Sequence, residues 1–159
     1  TSKGPVATRC VLLALGRRGT PRKLGVPGEE QEKVLYQLVD AATYKGLRCL
    51  VVGGGDSAIE AALGLAAQPG NQVTLSYRKP EFFRIKARNE ERIRVAAAEG
   101  SVLLALASEV RSVGVEHVDL TTADSAARLP NDFVFVFAGG DPPYPLLKGI
   151  GVRFWGEAA

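Results

Sequence analysis

Residues 50–62 read LVVGGGDSAIEAA, an apolar run that passes through Gly53, Gly54 and Gly55 into a helical pattern. The run predicts a buried strand, and the pattern predicts a helix that begins directly after the turn. A turn without side chains lets a diphosphate approach the backbone amides at the start of that helix. A second predicted strand, at 72–76, completes a βαβ unit. The unit therefore predicts a dinucleotide-binding site.

The helix after the glycines carries apolar residues at a spacing of three to four, which predicts one buried face. Asp56 or Ser57 is expected to cap its first turn. Two other classes of protein carry such a turn, namely α/β proteins that bind no dinucleotide and methyltransferases. The apolar positions are Ile59, Ala62, Leu63 and Ala66.

The end of the second predicted strand bears on the choice of nucleotide. A carboxylate at this position accepts hydrogen bonds from the adenosine ribose, whereas a 2′-phosphate needs cations. The sequence has Tyr77, Arg78 and Lys79 there, followed by Arg84, and no acid at the strand end. The cations predict a 2′-phosphate site, and the Tyr77 ring can cover the adenine or the ribose. NADPH is therefore predicted over NADH; the alternative is a solvated basic loop in which Glu81 competes for the cations.

Composition limits the class of protein. The chain has 159 residues, 46% of them hydrophobic, and no apolar run approaches the roughly 18 residues that a membrane span requires. No signal peptide is recognisable and only two cysteines occur, so a reducing cytoplasm is expected. The net charge is +3, and the cations gather between 78 and 94. Interleaved acids and the lack of a recognition motif argue against a nucleic-acid partner.

The remaining pattern predicts an α/β fold, a Rossmann-like parallel sheet with flanking helices and a β-meander. An apolar strand predicted over 133–137 ends at Gly139 and Gly140. These glycines either line the same crevice as the first glycine turn, near the nicotinamide, or form a plain chain exit. The other expected elements are a strand at 8–15, a surface connection at 16–30, helices at 29–44 and 87–99, and meander strands at 102–106, 109–113, 117–122 and 127–129.

Four segments occur in the order of a known family. They are VLLALG followed by TPRKLGVPGEE, then VVGGGDSAIEAA, SYRKPEFFR and FVFAGGDPP. The chain resembles the NAD(P)H-binding domain of the flavin-dependent pyridine nucleotide disulfide oxidoreductases, in their thioredoxin-reductase-like branch. The resemblance implies three parts: a flavin-domain strand and crossing segment at 1–28, the nucleotide domain at 29–141 and a return segment at 142–159.

The same resemblance assigns residues to the cofactor. Gly53, Gly55 and Ala58 take the fingerprint positions, and Asp56 and Ser57 begin the helix. Glu60 matches a family glutamate that lies near the nicotinamide. Arg78 and Lys79 match the family's pair of basic residues. The later arginine of the family pattern stands one place further along, at Arg84.

The chain departs from thioredoxin reductases in its cysteines. Residues 33–45 contain no Cys-x-x-Cys pair, and Cys10 and Cys49 are expected to be small buried residues. A single histidine offers no metal or catalytic set, so no catalytic residue is predicted.

The resemblance implies a domain that presents NADPH to an FAD held by a flavin domain of the same parent chain, with a homodimer of the parent protein as an expected assembly. The isolated piece would then catalyse nothing by itself. A nucleotide-sensing or interaction module, in which binding alters assembly and no hydride moves, is the alternative.

Overall fold

The computed structural model describes residues 4–12, 21–122, 125–140 and 143–154. The chain divides into two compact units, one of Pro21–Gly139 and one that combines Thr1–Thr20 with Gly140–Ala159. In the described part of the chain, no helix is both long enough and apolar enough to cross a bilayer.

The described part of the unit Pro21–Gly139 contains eight strands and two α-helices, namely β1 (Val34–Leu35), β2 (Arg48–Val52), α1 (Asp56–Ala66), β3 (Gln72–Tyr77), α2 (Ala87–Ala98), β4 (Val102–Leu106), β5 (Glu109–Val113), β6 (His117–Thr121), β7 (Ala126–Pro130) and β8 (Phe133–Val136). A single turn of 3-10 helix, Ala41–Thr43, follows β1. The strands form a parallel sheet of five in the order β1-β8-β2-β3-β4 and an antiparallel sheet of three in the order β5-β6-β7.

Successive side chains of β2 belong to two different hydrophobic clusters, which shows that the parallel sheet is covered on both faces. Cys49 and Val51 pack with the buried residues of α1 and α2, whereas Leu50 packs with residues of the antiparallel sheet such as Val118. Successive side chains of a strand point to opposite faces, so a strand covered on both sides needs a continuous apolar run. The predicted α/β fold class is confirmed, with the two helices on one face and the small sheet on the other.

The helix predicted over 29–44 is wrong. This segment forms turns, the short strand β1 and the 3-10 turn. Val34 and Leu35 pair in parallel register with Val134 and Phe135 of β8. The Val134 amide donates to the Lys33 carbonyl at 2.9 Å, so this segment pairs with a strand about 100 residues away in sequence, and the pairing overrides the local helical spacing.

The meander has three strands and not four. Residues 102–106, predicted as its first strand, pair in parallel with β3 and form the edge of the large sheet. The three following strands form the antiparallel sheet, with a register irregularity between Val110 and Ser112. An edge strand of a parallel sheet and a strand of a meander can have the same apolar sequence pattern. The two are therefore distinguished by the strand with which each one pairs.

The second unit contains helix α3 (Tyr144–Gly149), and the Tyr144 ring meets Phe154 edge to face at 5.0 Å. The strand predicted over 8–15 is wrong in its described part, because residues 8–12 are irregular and exposed, and 13–15 lie outside the described residues. No described strand offers this segment backbone partners, and a strand cannot form without them. Cys10 is accordingly exposed and not buried as predicted, whereas Cys49 is buried, which raises the pKa of its thiol to about 11.

Candidate dinucleotide-binding site

The first glycine of the turn lies where two neighbouring strands end. The Gly53 amide donates a hydrogen bond to the Ser76 carbonyl at 2.9 Å, and the Phe137 amide donates to the Val52 carbonyl at 2.7 Å. Gly53 has a φ of +148°, and a Cβ atom at this position would lie 2.6 Å from the Phe137 carbonyl oxygen. A side chain cannot be accommodated here, so glycine is required for the chain to leave β2 in this direction.

The second glycine, Gly54, lies against the ring of Tyr77. A Cβ atom on Gly54 would lie 2.2 Å from the Tyr77 ring. The same ring stacks on Phe82 with centroids 5.8 Å apart and an interplanar angle of 7°. Tyr77 is therefore held by packing beside the glycine turn, where its use as a cover for adenine or ribose stays a prediction.

The third glycine, Gly55, is the N-cap of α1, and no side chain of the described residues caps this helix. The expectation that Asp56 or Ser57 would do so is wrong, because the Asp56 carboxylate bonds elsewhere and Ser57 is exposed. No described residue accepts a hydrogen bond from the amides of Gly55, Asp56 or Ser57. Nothing lies within 4 Å of a Cβ atom built on Gly55, so open space adjoins these donors. Free amides beside open space at a helix N-terminus fit the diphosphate of a dinucleotide.

Ala58 serves the turn by packing. It is fully buried, its amide donates to the Gly55 carbonyl at 3.0 Å, and its methyl group lies 3.0 Å from where a Cβ atom on Gly53 would stand. A small residue at this position lets the helix start close to the end of β2.

The Asp56 carboxylate joins α1 to α2. Its Oδ1 accepts hydrogen bonds from the Lys86 amide at 3.0 Å and from Asn89 Nδ2 at 2.7 Å. The backbone bond from Lys86, followed by the Asn89 bond, lowers the pKa of Asp56. Asn89 Nδ2 also donates to Glu60 Oε1 at 3.0 Å, so the buried amide holds two carboxylates of the predicted site. Sequence reasoning missed Asn89, which no motif marks.

The predicted cations lie on an exposed loop, 78–86, between β3 and α2. Lys79 Nζ lies 4.6 Å and Arg84 Cζ 5.5 Å from the centroid of the ring of Phe83, a residue that is 63% exposed. Within the described ranges, no carboxylate forms an ion pair with these two side chains or with Arg78, so the competition from Glu81 is absent there. The three cations have no carboxylate partner among the described residues, and such side chains suit an anionic group.

Two residues after β4 hold the first part of this loop. The Ala107 amide donates to the Lys79 carbonyl at 2.9 Å, and the Ser108 amide donates to the Tyr77 carbonyl at 3.0 Å. Ala107 has a φ of +49°, which is unusual for a residue with a side chain. The Ser108 hydroxyl group lies 2.7 Å from that of Ser76 and is buried with it. Sequence reasoning missed both residues, since they become neighbours of the loop through sheet pairing alone.

The later glycines divide between the two units. Gly139 follows β8, the neighbour of β2, and has a φ of +88°; its carbonyl accepts a hydrogen bond from the Arg22 amide at 3.0 Å. Gly140 begins the segment that belongs to the other unit. Their predicted role near the nicotinamide stays a prediction. Among the described residues, no three His, Cys, Asp or Glu side chains are grouped as a metal site would need.

The parallel sheet, the glycine turn and the helix that starts from it define a Rossmann-like α/β domain. Comparison with known families matches residues 1–157 to the pyridine nucleotide-disulphide oxidoreductases, and the chain belongs to this family. The resemblance inferred from the sequence motifs is thereby confirmed.

Individual relatives agree with this assignment. The chain is 32% identical over 153 residues to a ferredoxin–NADP reductase of Ignicoccus hospitalis, covering 94% of this chain and 49% of that protein. It is 29% identical to the bacilliredoxin reductase Bdr of Bacillus subtilis, covering 96% and 48%. Its fold is similar to the bacillithiol disulfide reductase Bdr of Bacillus cereus, with a TM-score of 0.80, 29% identity and coverage of 87% and 43%. The chain spans about half the length of the curated relatives it matches.

Proposed function

We propose that this chain binds NADPH and presents the nicotinamide for hydride transfer to an FAD held elsewhere in the parent protein. The observation that carries the proposal is the joining of two anion-binding features by one hydrogen bond. The Gly53 amide donates a hydrogen bond to the Ser76 carbonyl, which ties the carboxyl end of β2 to the carboxyl end of β3. The free amides after the glycine turn and the cations that follow Tyr77 therefore lie at the same end of the parallel strands. A diphosphate and a 2′-phosphate need these two groups of donors.

The residues of this chain bind and orient, and the cofactors supply the redox chemistry when bound. The amides of Gly55, Asp56 and Ser57 would hold the diphosphate, and Arg78 would bind the 2′-phosphate with two N–H groups. Relatives whose names include NADP support this choice of nucleotide.

A flavin domain of the parent chain is the proposed partner of the second unit. That unit exposes large apolar side chains that a folded protein normally covers. A flavin domain that packs on them would bury this surface. The residues are Val6, Val11, Leu12, Leu146 and Ile150, each more than half exposed.

Arg78→Ala tests the assignment of the nucleotide. Titration calorimetry should show the Kd of NADPH raised at least tenfold, since a hydrogen bond to a charged group contributes about 1.5–3 kcal/mol. The Kd of NADH should stay within about twofold, because NADH has no 2′-phosphate. Arg111→Ala, which removes an exposed arginine from β5, is the charge-matched control. Equal losses for both cofactors would refute the phosphate assignment.

Rapid mixing of the parent protein with NADPH tests the hydride step. Bleaching of the flavin absorbance is expected at a rate that Arg78→Ala lowers when NADPH is limiting. If NADPH binds without reducing the flavin, the chain is a nucleotide-sensing module and the redox proposal fails.

A further inference from the structure

The Asp56 carboxylate occupies an unusual position for a negative charge. Asp56 directly follows Gly55, whose surroundings we assign to an anionic group, and a carboxylate there would repel that group. In the structure the carboxylate does not bond to its own helix. It accepts hydrogen bonds from the Lys86 amide and from Asn89 Nδ2, at the first turn of α2. Asp56 therefore acts on α2, which begins where the basic loop ends.

The basic loop, 78–86, is held at both ends by different contacts. At its start, the amides of Ala107 and Ser108 bond to the carbonyls of Lys79 and Tyr77. At its end, the Lys86 amide bonds to Asp56. The bonds from Ala107 and Ser108 hold the start of the loop against the end of β4. Among the described residues, the bond from Lys86 is the one that joins this loop to Asp56, directly after the glycine turn.

Asn89 makes the second contact well defined. The residue is 4% exposed, and its side-chain nitrogen donates to both Asp56 and Glu60. A buried amide with two carboxylate acceptors has little freedom to turn, because any rotation would leave a buried donor unsatisfied. The position of the Asp56 carboxylate relative to α2 is therefore determined by two donors.

We propose that Asp56 is a positioning residue for cofactor selectivity: by bonding to Lys86 and Asn89, it sets the place of Arg84 and the rest of the loop end relative to the glycine turn. The inference rests on the proposed function, since it concerns how the diphosphate and 2′-phosphate sites are spaced. A bound NADPH spans both sites, whereas NADH uses only the first, so a displaced loop lowers the affinity for NADPH alone.

Two substitutions separate positioning from charge. Asp56→Ala removes the charge and the acceptor oxygen, whereas Asp56→Asn removes the charge and keeps an oxygen that can accept from Lys86 and Asn89. If Asp56 acted through its charge, both variants would bind both cofactors more tightly. If Asp56 positions the loop, Asp56→Ala loses selectivity and Asp56→Asn keeps it.

The experiment measures the Kd of NADPH and of NADH by calorimetry for the wild type and both variants. The ratio of the two affinities should fall about fivefold in Asp56→Ala, the effect of losing roughly one net hydrogen bond, and stay within about twofold in Asp56→Asn. Glu90→Ala, which removes another carboxylate from the first turn of α2, is the control and should leave the ratio unchanged.

A second measurement does not depend on a cofactor. Hydrogen exchange of the Lys86 amide should be faster in Asp56→Ala than in the wild type and near the wild-type rate in Asp56→Asn. An unchanged affinity ratio in Asp56→Ala, or equal losses in Asp56→Ala and Asp56→Asn, would overturn the inference. A wild type that binds NADPH and NADH equally would instead overturn the proposed function, and the inference with it.

Discussion

The Phe137 carbonyl oxygen lies 2.6 Å from the place that a Cβ atom would take on Gly53. A methyl group there would also lie 3.0 Å from the Ala58 side chain, and the φ of +148° disfavours any residue but glycine. Overpacking in Gly53→Ala should therefore lower the free energy of unfolding by about 1–3 kcal/mol. The strained backbone of the new alanine should lower it further by a similar amount. Urea denaturation followed by circular dichroism measures this change.

Gly55→Ala is the matched variant two residues away. Its φ of −104° suits any residue, and nothing lies within 4 Å of the new methyl group. The free energy of unfolding should fall by no more than about 1 kcal/mol, the cost of alanine in place of glycine at an N-cap, while NADPH and NADH both bind more weakly. Wild-type affinity for both cofactors in a folded Gly55→Ala would argue against a diphosphate at this turn.

Phe83→Leu should weaken the binding of NADPH. The Phe83 ring lies near both Lys79 and Arg84, and an exposed cation–π contact contributes about 0.5–1 kcal/mol. Two such contacts correspond to a rise of roughly five- to thirtyfold in the Kd of NADPH, with NADH unaffected. Phe83→Tyr retains an aromatic face and should bind as the wild type does; a similar loss in both variants would exclude the ring as the cause.

Glu29 makes the stability of the fold dependent on pH. The residue is 8% exposed, and its carboxylate accepts hydrogen bonds from the Leu24 and Gly25 amides and the Tyr36 hydroxyl group. Burial raises its pKa, but these hydrogen bonds outweigh burial and leave the pKa of Glu29 below its usual value. The stabilisation is therefore complete above the unfolded pKa, about 4.3, and is lost as the pH falls through the lower folded pKa.

Glu29→Gln tests this dependence. At pH 7 it should lower the free energy of unfolding by about 1.5–3 kcal/mol, the range for hydrogen bonds to a charged group. Denaturation from pH 7 to pH 2 should show the difference from the wild type shrinking below about pH 4. Glu30→Gln, at the exposed neighbour, is the control and should show no such trend. A constant difference at every pH would mean that the charge of Glu29 does not contribute.

Ala107→Gly should stabilise the protein. The φ of +49° is costly for alanine and free of cost for glycine, so the free energy of unfolding should rise by about 0.5–1 kcal/mol after the greater flexibility of the unfolded chain is included. The same substitution in a helix, Ala97→Gly in α2, should lower it by up to about 1 kcal/mol. Thermal unfolding of both variants measures the two signs, and a loss of stability in Ala107→Gly would contradict the strain.

The strand, glycine turn and helix between Arg48 and Ala66 were predictable because their signals are local and agree with one another. Leu50 and Val51 are buried and Val52 is half-buried, and Ile59 and Ala62 of the predicted apolar face are fully buried in α1. Much of the backbone pairing of this segment lies within α1 or with β3, which follows closely in sequence, although β2 also pairs with the distant strand β8. The positions of the cations directly after β3 were predictable for the same reason.

Residues 29–44 show where local reasoning failed. Val34 and Leu35 have apolar neighbours at helical spacing, and acids such as Glu29 precede them as they would in the first turn of a helix. In the fold the Glu29 carboxylate instead accepts hydrogen bonds from the Leu24 and Gly25 amides, and Val34 pairs with Val134 of β8. These partners lie outside any window in which a periodic pattern is recognised.

The order of residues along the chain alone determined the βαβ unit, its glycine turn and the cluster of cations, since each depends on neighbours in sequence. Assembly of the chain determined which group satisfies each hydrogen-bond donor and acceptor. Asp56 illustrates the difference: its position suggests a cap for its own helix, yet Lys86 and Asn89, about 30 residues later, supply its donors. A carboxylate bonds to the donors that folding brings nearest, and the sheet order decides which those are.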